Sequence, residues 1–200
     1  MNMQMKQTPI IREAEVSDAL ALAKLIDIAG EGIPSWLWRK SCTEDQEPLD
    51  IGIERASRTQ GCFSFRNALI AETNHEISGM ILSYPINSAP EDDPDSLPAP
   101  IAPFVELEAL SVGTWYVNAL AVFSGNRGNG IGSALMSRAE TIARAAGYEA
   151  MSIQVYSQNT GAVKLYKKLG YQEIARAAVR EHPCQPYYDE DVILLVKPLL

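Results

Sequence analysis

The stretch that most restricts the fold is "NALAVFSGNRGNGIGSALMSRAE", from Asn118 to Glu140. An apolar run ends in Gly125, Gly128, Gly130 and Gly132, and a helix-like pattern starts at once. A strand that enters a helix through glycine presents the unpaired N–H groups of the first helical turn, and the positive end of the helix dipole, to an anion. Spacing removes two forms of such a site. A Walker phosphate loop needs glycine, four residues, then Gly-Lys-Ser/Thr; Gly125 and Gly130 have the separation, but Ile131 holds the lysine place. The dinucleotide fingerprint G-x-G-x-x-G fails because Ser133 or Leu135 holds the third glycine place, and Glu149 is a weak ribose partner. The form Arg/Gln-x-x-Gly-x-Gly/Ala is filled at every fixed place by Arg127, Gly130 and Gly132. Glycine lets a phosphate approach the backbone, and Arg127 adds a forked donor of fixed charge. The plainer alternative is a turn that only joins strand to helix.

The flanking sequence predicts a mixed α/β order. "PIIREAEVSD" reads as a strand and turn, with Ser17 or Asp18 capping a helix that Gly30 stops. "GIPSWLWRK" and "EPLDIGIERASR" read as further helices; Trp36 and Trp38 suit either core packing or one wall of an acceptor pocket. "SFRNALIAET", "NHEI" and "ISGMILSYPI" form a strand, turn and strand, an antiparallel hairpin. The Pro- and Asp-rich run Asn87–Pro100 is a surface loop, and "IAPFVELEAL" a short helix. "TWYVNALAV" is a strand. The next helix carries an apolar stripe of Ile131, Leu135, Ala139, Ile142 and Ala146. "YEAMSIQVYS" is a strand, "NTGAVKLYKKLG" a helix, and "YQEIARAAV" and "DVILLVKPL" the last two strands. Strands joined through helices are usually parallel, so a mixed sheet with helices on both faces follows, in one domain over residues 1–200.

Composition narrows the function. The 200 residues are 46% hydrophobic, enough for a sizeable core. No run reaches the roughly 18 apolar residues of a membrane span, and the opening residues lack a leader's apolar core. No membrane association and a cytoplasmic setting are the default expectations. The net charge of −8 disfavours nucleic acid as the main partner. It favours a cationic amine or serves solubility alone. Cys42, Cys62 and Cys184 are scattered, and His75 and His182 have unlike surroundings, so neither a disulfide framework nor a metal site is expected.

Two blocks carry a resemblance. "LAVFSGNRGNGIGSALM" resembles the acetyl-coenzyme A signature of the GNAT superfamily of N-acetyltransferases. "NTGAVKLYKKLGY" resembles its second signature, N-x-x-A-x-x-L-Y-x-x-x-G-F/Y, filled at Asn159, Ala162, Leu165, Tyr166, Gly170 and Tyr171. One helix and one strand separate the blocks, as in the family. The resemblance implies an α/β GNAT-type fold with a mixed central sheet and strands 4 and 5 splayed apart. It implies acetyl-coenzyme A as donor and an amine, on a small molecule or a peptide, as acceptor, attacked directly in a ternary complex. Many relatives of this design are dimers, which makes a homodimer a further expectation.

Site residues follow from the same resemblance. The backbone of Leu120, Ala121 and Val122 pairs with the pantetheine arm. Arg127, Gly128, Asn129, Gly130, Ile131, Gly132 and Ser133 hold the pyrophosphate without a metal. Asn159 bonds the coenzyme arm or caps its helix, and Tyr166 protonates the leaving thiolate. The general base has no obvious holder. The family's strand-4 place holds Tyr116 here and its strand-5 place Gln154, neither a ready base near neutral pH. Glu106, Glu108 and a water chain remain as candidates. Complete cofactor motifs without a base also suit a non-catalytic module that binds or senses acyl-coenzyme A. A nucleotide-binding switch is disfavoured by Ile131.

Overall fold

Asn74 and His75 both adopt left-handed backbone angles (φ 55° and 65°), which closes the predicted hairpin in a tight turn between two long strands. The computed structural model describes residues 8–91, 96–182, 184 and 190–199. In chain order its elements are β1 (Ile10–Glu13), α1 (Ala19–Ala29), α2 (Ile33–Arg39), α3 (Pro48–Ala56), β2 (Ala68–Thr73), β3 (Glu76–Pro85), α4 (Ala102–Glu108), β4 (Trp115–Val122), α5 (Ile131–Ala145), β5 (Ala150–Tyr156), α6 (Thr160–Lys168), β6 (Gln172–Ala178) and β7 (Asp191–Pro198).

These strands form one sheet in the order β1-β2-β3-β4-β5-β7-β6. Among the described residues only β4 and β5, joined through α5, pair in parallel; the other pairs are antiparallel. The last two strands do not simply follow β5 across the sheet. β7 inserts between β5 and β6, so the helical crossover through α6 skips one place. The apolar run "DVILLV" explains the choice. Val192, Ile193, Leu194 and Leu195 are all buried, which suits a strand covered on both faces, whereas most of β6 remains accessible at the edge.

Helices cover both faces. On one, Leu22, Leu25 and Ile26 of α1 and Trp38 of α2 pack on Ile70, Met80, Leu82, Tyr84 and Tyr116. Beside them, Ile33 of α2 and Leu107 of α4 cover Tyr156, Val192 and Leu194. On the other face, Leu135, Met136, Ala139 and Ala143 of α5 pack on Leu69, Ile81, Val117, Met151 and Ile193, with Tyr166 of α6 alongside. Each fully buried aliphatic side chain contributes about 1.5–3 kcal/mol.

Two local features differ from the sequence reading. Asp18 stands at the N-cap position of α1, but its carboxylate makes no cap bond there; it turns back to accept from the Glu15 N–H (2.7 Å) and takes both terminal nitrogens of Arg12 (2.7 and 2.9 Å). Arg12 also donates from Nε to Glu72, tying β1 to β2, and its guanidinium holds the Asp18 carboxyl below the usual carboxylate range. The second feature is a bulge. Leu82 opposes Ala119 and Ser83 opposes Val117, which leaves Asn118 without a partner on β3. Val117 therefore faces α5 while Ala119 faces α1, although they are two residues apart. A bulge bends a strand and increases its twist.

Candidate active site

The bend at Asn118 coincides with the place where the sheet opens. β4 and β5 pair at Trp115–Met151, Tyr116–Ser152 and Val117–Ile153, and no further. β4 nevertheless runs to Val122 and β5 to Tyr156. The gap closes at Val117–Ile153, and the ladder end remote from it carries a 2.6 Å hydrogen bond between the hydroxyls of Thr114 and Ser152. Leu120, Ala121 and Val122 pair with Ile81, Met80 and Gly79 of β3, so only their β5-facing edge is left open. Backbone groups on such an edge need partners, and an extended ligand that carries amides supplies them as an added strand does.

The open edge leads to the glycine turn. Gly128 and Gly130 have φ of 77° and 82°, the left-handed region that glycine occupies without strain. A Cβ at either would meet no protein atom within 4 Å, so backbone conformation, not crowding, requires them. Gly132 differs: its Cβ would lie 3.2 Å from Leu165 Cδ2, so it permits close approach of α5 and α6. Among the described residues no acceptor is found for the N–H groups of Gly128, Asn129, Gly130, Ile131, Gly132 and Ser133, while Ala134 N–H reaches Gly130 O at 3.0 Å. Buried Ile131 anchors this turn in the core. Arg127 is exposed; its Nε donates to Val122 O at 3.0 Å, fixing the guanidinium where β4 ends. The turn is thus a convex-free cradle of donors, suited to a pyrophosphate and needing no Cβ-sized space filled.

The second block lies beside the gap. Tyr166 is buried on α6, edge-on to Tyr171 with ring centroids 6.1 Å apart, and its hydroxyl has no hydrogen-bond partner among the described residues. Burial raises its pKa well above the ordinary tyrosine value, so the hydroxyl keeps its proton. Asn159 shows the capping geometry: its Oδ1 accepts from Ala162 N–H at 3.2 Å. Its Nδ2 donates to Glu31 Oε1 at 3.0 Å, a partner that sequence spacing did not suggest.

The face under α2 and α4 carries the remaining candidates. Tyr116 is buried edge-on to Tyr84, centroids 5.9 Å apart, and burial raises both phenols. Glu108 is partly buried, which raises its carboxyl, and its charge acts on Tyr116 and Tyr84. Glu106 is exposed. Trp38 is core, while Trp36 contacts His182 edge-on at 4.4 Å and carries Lys40 Nζ 3.6 Å from its ring centroid. Gln154 on β5 has both carboxamide atoms buried and unpartnered. Residues 92–95 of the predicted surface loop, and residues 183 and 185–189, lie outside the described residues. Among the described residues there is no cluster able to hold a metal and no helix long and apolar enough to cross a membrane.

A splayed parallel strand pair that runs into a row of amide donors is an arrangement that fits an extended, amide-bearing ligand ending in a pyrophosphate. The Acetyltransferase (GNAT) family matches residues 31–171, and the chain belongs to that family. Its donor is acetyl-coenzyme A, and it transfers the acetyl group to an amine. Solved structures share the fold. An N-acetyltransferase from Staphylococcus aureus Mu50 has a TM-score of 0.65 at 20% identity, covering 94% of this chain and 100% of its own. An acetyltransferase structure from Salmonella typhimurium with its cofactor acetyl-CoA has a TM-score of 0.60 at 18% identity, covering 96% and 95%. The ribosomal-protein-S18-alanine N-acetyltransferase from Escherichia coli has a TM-score of 0.58 at 15% identity, covering 96% and 94%. No curated protein matches the chain.

Proposed function

We propose that the acceptor amine attacks acetyl-coenzyme A directly, with both bound at the opening between β4 and β5. The observation that carries this reading is the row of acceptor-free N–H groups from Gly128 to Ser133, continuous with the open edge of Leu120–Val122. The six N–H groups and Arg127 hold the pyrophosphate, and the strand edge aligns the pantetheine arm. Acetyl-coenzyme A, when bound, supplies an acyl group activated as a thioester. Tyr166, kept protonated by burial, donates its proton to the departing sulfur. Glu108 is the better of the two carboxylates for taking the ammonium proton, because desolvation moves its pKa toward neutrality and exposed Glu106 lacks that environment. Asn159 holds the start of α6, and so the helix that carries Tyr166, in place.

The acceptor in this reading is a primary amine on a small molecule or at a peptide end, drawn weakly by the net charge of −8. The chain acts as one cytoplasmic domain without nucleic acid; sedimentation decides whether it pairs as a homodimer. The central experiment measures coenzyme A release over an amine panel, beside thermal shifts with coenzyme A and NAD. Stabilisation by coenzyme A with amine-dependent thiol release is the expected result. A shift with NAD alone overturns it.

A further inference from the structure

Gln154 is a polar residue with no explanation inside the protein. Its carboxamide nitrogen and oxygen are both buried, and neither has a hydrogen-bond partner among the described residues. Burying an amide without partners is unfavourable, and native proteins rarely keep one without a reason. A neighbour two residues away shows what the fold does elsewhere: Ser152, on the same face of β5, is matched to Thr114 at 2.6 Å.

Register places this amide. The last β4–β5 pair is Val117–Ile153, so Gln154 is the first β5 residue beyond the closed end of the gap. On β4 the corresponding position is the bulged Asn118. On its other side Gln154 pairs with Leu194 of β7. Directly paired residues share a face, and Leu194 belongs to the cluster under α2 and α4 with Ile33, Leu107 and Tyr156. Its neighbours Ile153 and Val155 face α5 and α6 instead. The carboxamide therefore stands at the vertex of the opening, on the face opposite the helix whose N-terminus forms the phosphate cradle.

From this geometry we infer that Gln154 is a specificity-determining residue that hydrogen-bonds the acceptor, and that the preferred acceptor carries an amide next to its amine. The inference rests on the amine-acetyltransfer reading above. A carboxamide offers one acceptor oxygen and two N–H donors, and its best complement is another amide. A neutral amide neither takes nor gives a proton near neutral pH, so its contribution is orientation. The donor's arm has the open edge of β4 for its own amides and does not require Gln154.

The test compares wild type with Gln154→Met, which keeps length and apolar bulk but cannot hydrogen-bond. The probes are Ala-Ala-Ala, whose amine adjoins a peptide group, and ethylamine, which has none. Coenzyme A release is followed at saturating acetyl-coenzyme A. Wild type is expected to favour the peptide, and Gln154→Met to lose about tenfold in kcat/KM for the peptide, the size of one well-placed hydrogen bond. Ethylamine kcat/KM and the KM for acetyl-coenzyme A are expected to stay within about twofold, and Tm to hold or rise because an unpaired amide has gone. Equal effects on both amines, a raised KM for acetyl-coenzyme A or a lowered Tm each overturns the assignment while leaving acetyl transfer intact. A protein that is stabilised by acetyl-coenzyme A yet acetylates neither amine overturns the transfer reading itself.

Discussion

Asn159 donates to the Glu31 carboxylate at 3.0 Å, joining residues 128 positions apart. Glu31 sits between α1 and α2 with φ of 54°, a left-handed conformation unusual for glutamate. One side-chain amide thus fixes the first turn of α6 and anchors the α1–α2 corner. Asn159→Ala is expected to cost about 1–2 kcal/mol through the lost cap and bond. A double-mutant cycle with Glu31→Ala, read by urea unfolding, is expected to give a coupling of about 0.5–1.5 kcal/mol. Strict additivity would mean that the contact carries no energy.

The cradle is expected to discriminate between its two kinds of residue. Gly130→Val forces a β-branched residue into φ of 82° and fills space that the phosphate needs, so coenzyme A binding is expected to vanish. Arg127→Ala removes one charge among several N–H donors and is expected to cost about 1.5–3 kcal/mol of binding at most. Calorimetric titration with coenzyme A, with circular dichroism to check the fold, measures both. Unchanged affinity in Gly130→Val would place the pyrophosphate elsewhere.

Tyr166→Phe keeps the ring against Tyr171 and removes a hydroxyl that has no hydrogen-bond partner among the described residues. Folding stability and coenzyme A affinity are expected to remain nearly unchanged. Loss of a positioned general acid lowers kcat by about 10²–10⁴-fold. A thiol pKa near 8.5 makes thiolate a fair leaving group, which puts the expected loss at the lower end. Reduced stability with full turnover per folded molecule would assign Tyr166 to packing alone.

Glu108 links pH to both stability and rate. Desolvation raises its carboxyl in the folded state above the ordinary value of 4.5. A raised folded pKa means that the folded state binds the proton more tightly, so the contribution is full below pH 4.5 and is lost as pH rises through the folded value. Glu108→Gln is therefore expected to gain stability relative to wild type near pH 8 and to show no gain in acid. The same substitution is expected to flatten the acid limb of the kcat/KM profile, because the ionised carboxylate takes the ammonium proton. A profile identical to wild type would leave proton removal to water.

The parts of the molecule that sequence exposes are those whose physics is local. Left-handed φ at Gly128 and Gly130, the cap at Asn159 and the turn at Asn74–His75 all depend on a few adjacent residues. The glycine turn between β4 and α5 is legible for that reason. What sequence does not expose is set by distant partners. Nothing near Asp191 announces that its strand slides between β5 and β6, because that choice is settled by burial on both faces. The bulge at Asn118 exists only against the register of β3. Glu31 finds Asn159, and Asp18 finds Arg12, only after the chain has folded back. Sequence marks Gln154 only as a poor base at the family's strand-5 place; that its amide is buried without a partner among the described residues emerges from the packing around it.

The three residue pairs between β4 and β5 have a mechanical consequence. Among the described residues they are the only ladder that joins β1–β4 to the β5-β7-β6 half of the sheet. The molecule is in that sense two ribbons stitched along a short seam, with the Thr114–Ser152 hydroxyl bond as its last stitch. In the function proposed above, a donor lying along the unstitched edge of β4 extends the seam. Its binding energy is then shared between recognition and cohesion: the substrate is a temporary strand, and each turnover ends by unpicking it.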